Sequence, residues 1–387
     1  MSKIYFKGLN GIRFIAAFFV ILHHIEFLKS AYNFPNYDNL AFFQAGVQGV
    51  YCFFVLSGFL ITYLLLEEER DTNKINIKNF YIRRILRIWP LYYLMVFIGL
   101  FIAPLFLPDS YFLRDWNNDF WERLGLYVIF LPNFAYVFYN FALHASHLWS
   151  IGVEEQFYLI WPVLLKKTKA ILMPVLIVIA VAFTLSKLVL LYINTHYFPS
   201  ESFTNLTNAL CTLKFNYMAI GAIGAVMYYK KESYQRILNI IFSKITQLIA
   251  YLLLIVLVVF GLPQFYFNEA VTGVMFLIII LNISLNPKSL VNLEIPILNY
   301  LGRISYGIYV YHMIIVGICI RLFYHLFPIN NDILLQILLY VCSIGLTIIV
   351  ADLSYKYLET PFLRLKDTRF ATSTPEEKPI KAEMNKQ

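Results

Sequence analysis

The sequence predicts an all-α, polytopic integral membrane protein, and three observations carry that expectation. Of 387 residues, 60% are hydrophobic, 18% aromatic and only 14% charged, where a soluble domain carries about 25% charge. A soluble fold of this length leaves about a quarter of its unfolded surface outside, so it could not hide this much apolar surface. Second, the apolar residues come in runs near the ~20 residues a helix needs to cross a bilayer core. Third, the basic residues fall mostly in the short connections between those runs, as cytoplasmic loops do. The same composition excludes disorder, coiled coils, collagen-like repeats and disulfide-rich secreted scaffolds. The net charge of +8 belongs to the loop bias and not to nucleic acid, since no basic and aromatic face is left outside the membrane. Cys52, Cys211, Cys319 and Cys342 show neither CxxC nor Cys/His ligand spacing. They read as small buried hydrophobes, with no metal.

The elements follow in order. The first run, 10–29, contains His23 and His24 and no A-x-A site follows it, so it reads as a retained span and not a cleaved signal peptide. The second is 45–66. The connection after it, 67–88, holds Arg70, Lys74, Lys78, Arg83, Arg84 and Arg87 and is expected to be cytoplasmic. Next comes 89–107, then a polar connection and a stretch, 122–140, that is apolar but broken by Pro132 and Asn133. The spans 149–165 and 170–192 flank Lys166, Lys167 and Lys169, a second cytoplasmic mark. Two such marks require an even number of crossings between 89 and 166, so 122–140 is expected to be re-entrant and not an eleventh span. The runs 214–229, 243–261, 270–285, 304–326 and 333–355 complete the set. Lys230, Lys231 and Arg236, then Lys288 and Arg303, then Arg364, Lys366 and Arg369 mark their cytoplasmic ends. The expectation is ten spans in the plasma membrane with both termini cytoplasmic. Residues 1–366 form one transmembrane domain, and the polar 367–387 reads as a disordered tail. No internal repeat is visible, which weighs against a transporter built from inverted halves.

An ionisable residue inside a span costs several kcal/mol to bury and is a functional candidate by default. Arg13 and His24 are eleven positions apart, which puts them on one helix face about 16 Å apart along the axis. Counted from Asn10, His24 stands about 21 Å up, in the outer half of the bilayer core. His23 points about 100° away. His147, Ser150 and Glu154 are spaced three and four apart and share a face. If their span starts near Ser150, Glu154 is only about 6 Å deep, close to the level of His24. A carboxylate beside a histidine orients the ring and stabilises its charged form, a common general-base pairing. The spacing leaves the choice between Glu154 and Glu155 open. The blander reading is an interfacial cap formed by Ser150 and Glu154. Arg84 and Arg87, three apart, suit phosphate, although on spacing alone ordinary positive-inside anchoring is the favoured reading. Gly49, Ser57 and Gly58 suit close helix packing or passage of a ligand. His312, with Tyr306, Tyr309 and Tyr311, lies deep in the 304–326 span. There is no phosphate loop, HExxH, zinc pattern or G-x-S-x-G elbow.

The ordered blocks LNGIRFIAAFFVILHH (9–24), GVYCFFVLSGFLIT (49–62), FYIRRILRIWPLYY (80–93), HLWSIGVEEQFYLIWP (147–162), LGRISYGIYVYH (301–312) and LETPF (358–362) resemble the acyltransferase-3 family of integral-membrane acyltransferases. The resemblance runs from Leu9 to about Leu363. It implies transfer of an acyl group, usually acetyl from acetyl-CoA, to a hydroxyl of a surface or lipid-linked carbohydrate. The family's arginine-then-histidine pattern falls on Arg13 and His24, which selects His24 over His23. Its RxxR pattern, linked to the acyl donor, falls on Arg84 and Arg87, and its Ser-x-x-x-Glu region falls on Ser150, Glu154 and Glu155. Many relatives carry a further hydrolase-like domain, which is not expected within these 387 residues.

The implied mechanism has Arg84 and Arg87, with Arg13, holding the coenzyme phosphates. His24, oriented by Glu154 or Glu155, removes the acceptor proton or carries the acyl group transiently. Ser150, His147, Tyr158 and His312 are the expected substrate contacts. The competing classes are a proton-coupled permease, since intramembrane His, Glu and Arg also relay protons, and a glycan-export component. Neither would require an acyl donor.

Overall fold

The computed structural model describes residues 5–107, 119–139, 142–261, 268–327 and 332–369. Its principal helices are α1 (Leu9–Ala31), α2 (Gly46–Thr72), α3 (Ile77–Phe97), α4 (Phe120–Val128), α5 (Pro132–Phe138), α6 (Trp149–Thr168), α7 (Leu172–His196) and α8 (Glu201–Thr212). They continue with α9 (Phe215–Tyr229), α10 (Gln235–Ile241), α11 (Lys244–Phe260), α12 (Asn268–Leu285), α13 (Pro296–Arg303), α14 (Ser305–Leu326), α15 (Ile333–Ser354) and α16 (Thr360–Arg369). Short polar side chains start several of them. Asn76 Oδ1 accepts from the Asn79 backbone N–H at 3.0 Å, Ser243 Oγ from Thr246 at 3.2 Å and Asp332 Oδ1 from Leu334 at 2.8 Å. Each satisfies one of the N–H groups a helix start leaves without an internal partner.

The all-helical, polytopic class holds, and every expected apolar run falls on a helix. By length and apolarity alone, seven stretches can cross a bilayer, or eight when α10 and α11, bent by 53°, count together. The expected figure was ten. Two features account for the gap. The 54-residue stretch Leu143–His196 counts once, although α6 and α7 are parted by a 3₁₀ turn and would reach about 80 Å as one straight rod. The apolar helix Glu269–Leu285, within α12, adjoins residues outside the described set and is not counted among the seven.

The stretch 122–140 forms α4 and α5, of nine and seven residues, about 14 and 10 Å long. Neither spans a ~30 Å core by itself. Phe130, at φ 60°, turns the chain between them. Gln156 on α6 holds that turn, donating at 2.8 Å to the Phe130 carbonyl and to Asn133 Oδ1. At the C-terminal end, α16 continues to Arg369, so it takes in the first three residues of the expected tail. The rest of that tail, 370–387, lies outside the described residues.

Helix α2 is central and packs against α1 and along α9. Glycines permit the second contact. A Cβ added at Gly58 would lie 1.9 Å from the Met218 carbonyl oxygen, and one at Gly221 1.9 Å from that of Val55. Backbone cannot yield as a flexible side chain does. Gly58→Val is therefore expected to destabilise the fold by at least the ~1–3 kcal/mol typical of overpacking, read as a lowered unfolding temperature of the detergent-solubilised protein. The start of α1 is clamped by Glu294 in the connection before α13, which accepts from the Gly8 backbone N–H and from Asn299 Nδ2, each at 2.6 Å, and from the Tyr5 hydroxyl. Partial burial would raise the pKa of Glu294. These donors outweigh it and hold the carboxyl below its ordinary value.

Candidate active site

One face of each of six segments meets around a cavity of about 360 Å³. On α2 the lining residues run from Val50 to Leu64, with Phe53, Phe54, Ser57, Leu60 and Ile61 among them, so the cavity extends about 21 Å along that helix. Arg13 from α1, Arg84 and Arg87 from α3, Arg303 and Lys366 crowd its basic end. Two carboxylates, Glu154 and Glu359, line the cavity with them. Arg13 Nη1 donates to Asn10 Oδ1 at 3.3 Å. The Arg84 guanidinium lies 5.6 Å from the ring centres of both Phe80 and Tyr158, within cation–π range.

Farther in, Glu154 accepts from Ser57 Oγ at 2.8 Å and from the Tyr158 hydroxyl at 3.1 Å. The latter also lies 3.0 Å from Ser57 Oγ. Arg84 and Arg87 act on this carboxylate electrostatically. Glu155 turns elsewhere: it accepts from Trp89 Nε1 at 2.9 Å and does not line the cavity. The open choice between the two acids thus resolves toward Glu154 as the cavity residue. At the far end, Ser150 Oγ and the Tyr309 hydroxyl are 2.6 Å apart, and Tyr309 donates to the His147 carbonyl at 3.0 Å. These two side chains roof the cavity.

Beyond the roof lies a layer of imidazoles. His312 Nε2 is 3.1 Å from His24 Nδ1, which is also 2.9 Å from the Val20 carbonyl oxygen. His312 Nδ1 meets the Tyr309 carbonyl. His147 Nε2 is 2.9 Å from the Val310 carbonyl, its ring 4.9 Å from that of His312. A carbonyl only accepts, so each facing ring nitrogen carries the proton. In neutral His312 the proton then sits on Nδ1 and Nε2 is a lone pair, which accepts from His24 Nδ1–H. That leaves His24 Nε2 as the basic nitrogen of the pair.

This differs from the expected pairing of His24 with a glutamate. The bonds of His24 go to His312 and Val20, and those of Glu154 to Ser57 and Tyr158. The reason is axial. His147 shares the imidazole layer, and Glu154 is seven residues beyond it, about 10 Å along the helix. His312, expected at the substrate, is instead the neighbour of His24. His23 turns away as expected, Nδ1 3.0 Å from the Phe43 carbonyl. Of the remaining candidates, Arg13, Arg84, Arg87, Ser150 and Tyr158 all line the cavity, whereas His147 does not. The sequence reading missed Glu359 as a wall residue and took Arg303 and Lys366 only as topology marks, although two of these three lie in the quoted blocks LGRISYGIYVYH and LETPF. Among the described residues, no group of three or more His, Cys, Asp or Glu is arranged to hold a metal ion.

Comparison with known proteins fits this geometry. The chain is 29% identical to a protein of Staphylococcus aureus (strain COL) provisionally named an O-acetyltransferase, over 92% of this chain and 57% of that one. It is 26% identical to the peptidoglycan O-acetyltransferase OatA of Listeria monocytogenes, over 93% of this chain and 56% of that one. It is 28% identical to a Bacillus subtilis protein provisionally named a peptidoglycan O-acetyltransferase, over 92% and 55%. The chain therefore spans little more than half the length of these relatives. No solved structure matches it. The family model described as an acyltransferase domain matches residues 6–356, most of the chain, and the protein belongs to the acyltransferase-3 family.

Proposed function

We propose that the protein is a membrane O-acetyltransferase that moves an acetyl group from acetyl-CoA to a hydroxyl of a cell-envelope polysaccharide, with a cell-wall polymer such as peptidoglycan as the favoured acceptor. One observation carries the reading: a single cavity begins among Arg13, Arg84 and Arg87 and ends under a roof of Ser150 and Tyr309, directly below the His24–His312 pair. Two relatives named for peptidoglycan acetylation support the acceptor class.

The basic end faces the cytoplasm, where acetyl-CoA is made, in keeping with the positive-inside bias, and both termini lie on that side. The imidazole layer faces the acceptor outside. The arginines bind the coenzyme phosphates, and the pantetheine arm extends along α2. His24 Nε2 takes the proton of the acceptor hydroxyl as its oxygen attacks the thioester carbonyl. The carbon–sulfur bond breaks, and the coenzyme thiolate leaves and is protonated by the imidazolium. His312 holds the ring of His24 in the tautomer that this step needs.

In this scheme Glu154 serves the donor, holding Arg84 and Arg87 in place. Glu154→Gln is expected to raise the KM for acetyl-CoA severalfold with little change in kcat. A carboxylate acting on His24 would instead lower kcat, so steady-state kinetics of the purified enzyme separate the two roles. The function itself is tested by supplying labelled acetyl-CoA to vesicles containing the protein and a peptidoglycan acceptor. Alkali-labile acetate should appear on the glycan. Acceptor or acetate crossing the membrane with no need for acetyl-CoA would identify a permease instead.

A further inference from the structure

A second group of charges lies outside the cavity, where α7, α9 and α12 converge. Glu269 Oε2 accepts from Lys187 Nζ at 2.7 Å and from Asn216 Nδ2 at 2.9 Å, and its Oε1 accepts from Lys214 Nζ at 2.5 Å. Lys214 Nζ also stands 5.2 Å from the ring centre of Tyr51 on α2, and Tyr51 stacks on Tyr217 with ring centres 4.5 Å apart. Two positive charges against one negative leave one positive charge. The carboxylate is already met by three donors. Each ammonium has three N–H groups and, among the described residues, one oxygen partner. The buried pair near the C-terminal end of α1 differs: Glu26 faces the single ammonium of Lys29, Nζ to Oε1 2.6 Å, and the pair is neutral. An unbalanced charge at bilayer depth costs several kcal/mol, so the cluster of Lys187, Lys214 and Glu269 calls for an anion.

The level of the cluster suits the acceptor side. Lys187 is about 22 Å along α7 from Leu172, Lys214 is about 22 Å from the Tyr229 end of α9, and Glu269 is about 24 Å from the Leu285 end of α12. Those ends carry the cytoplasmic marks Lys169, Lys230 and Lys288, so three helices agree in placing the cluster in the outer part of a ~30 Å core. Tyr51 is five residues, about 7.5 Å, along α2 from Gly46, where an added Cβ would come 2.4 Å from that of His23. The cluster is thus close in depth to the imidazole layer, on the other side of α2. At 8–10 Å per helix contact, the two are separated across the outer face by about 10–20 Å. Lys187 and Thr184 are buried, whereas Leu185 and Val189 of the same helix are exposed, so the Lys187 ammonium faces the bundle and not the surrounding lipid. Lys214 and Glu269 are half-buried. One excess charge matches a monoanion such as a carboxylate better than a phosphate dianion. We propose that Lys187 and Lys214, balanced by Glu269, form a second acceptor subsite that binds a carboxylate of the cell-wall polymer while His24 works on a hydroxyl farther along the same strand. The proposal rests on the acceptor reading above and adds to it a preference for anionic glycan.

The test compares acetyl transfer from acetyl-CoA to soluble peptidoglycan strands and to the same strands after their carboxyl groups are converted to amides, using the purified full chain in detergent. A charge-assisted contact contributes roughly tenfold. Amidation should therefore raise the wild-type KM for the glycan by about that factor and leave the KM for acetyl-CoA alone. Lys214→Gln leaves a neutral Lys187–Glu269 pair. It should raise the KM for the native strands to the same extent, and amidation should then add nothing, the non-additivity expected of two groups in contact. Lys187→Gln reaches a neutral pair from the other side and should behave alike. Lys214→Arg should keep the wild-type discrimination. A coenzyme-dependent rise in unfolding temperature reports a folded enzyme in each case. A wild type indifferent to amidation, or a glutamine variant that still discriminates, overturns the subsite while acetyl transfer itself stands. Rates that follow the phosphatidylglycerol content of vesicles and not the charge of the acceptor also overturn it, and would assign the cluster to lipid. If neither glycan is acetylated by the wild type, the acceptor reading fails and takes the subsite with it.

Discussion

Replacing His24 with alanine is expected to reduce acetyl transfer by about 10²–10⁴-fold, the range general-base catalysis usually contributes. The donor should still bind, because His24 does not line the cavity and the five cations that do are untouched. The geometry also ranks the substitutions around it. His312→Ala removes the lone pair that accepts from His24 Nδ1 and frees the ring to change tautomer, so it should lower kcat with little effect on the KM for acetyl-CoA. His23→Ala should be much milder, since the His23 imidazole is spent on the Phe43 carbonyl. The check is a rate of acetyl transfer to glycan, beside a coenzyme-dependent rise in unfolding temperature that shows the folded enzyme still binds donor. A His24→Ala enzyme with wild-type turnover would remove imidazole from the mechanism.

The second large effect is expected from the arginine pair. Arg84 and Arg87 line the cavity beside Glu154, and guanidinium matches phosphate with paired hydrogen bonds that an ammonium cannot copy. Arg84→Gln/Arg87→Gln should weaken acetyl-CoA binding by about 100-fold or more, since each charged contact contributes roughly tenfold or more. Loss of thermal protection by coenzyme A is the direct readout. Arg84→Lys/Arg87→Lys should recover only part of the affinity. If the glutamine variant kept full protection, these arginines would be membrane anchors, as their spacing alone allowed.

Much of the fold was legible because bilayer physics is one-dimensional. Run length and the placement of Lys and Arg locate helices with no knowledge of their neighbours, and even the break at Pro132 and Asn133 showed where a span fails. The count of crossings was less secure. The helical stretch Leu143–His196 is broken only by a 3₁₀ turn yet is far longer than one crossing needs, so helix boundaries alone do not count its crossings. The site was legible where one helix face carries it: Arg13, Arg84, Arg87, Ser150, Glu154 and Tyr158 all reach the cavity. Contacts between helices were not. That His24 meets His312 rather than Glu154 depends on the rotation and axial offset of α1, α6 and α14, which spacing within one helix does not encode. The same limit kept Arg303 and Lys366 out of the site, because a basic residue at a helix end carries the same sequence signal whether it faces lipid headgroups or a cavity wall.

The central claim is that acetyl-CoA lies along one cavity from its cation-lined mouth to the Ser150–Tyr309 roof, and that this roof opens to let the thioester meet His24. An experimental structure of the purified protein with acetyl-CoA tests it most directly. The account predicts the nucleotide among Arg13, Arg84, Arg87, Arg303 and Lys366, the pantetheine arm passing Glu154 along α2, and the thioester under the displaced Ser150–Tyr309 roof facing His24. Coenzyme bound on another surface, or a thioester ending at the roof with no path to His24, would contradict it.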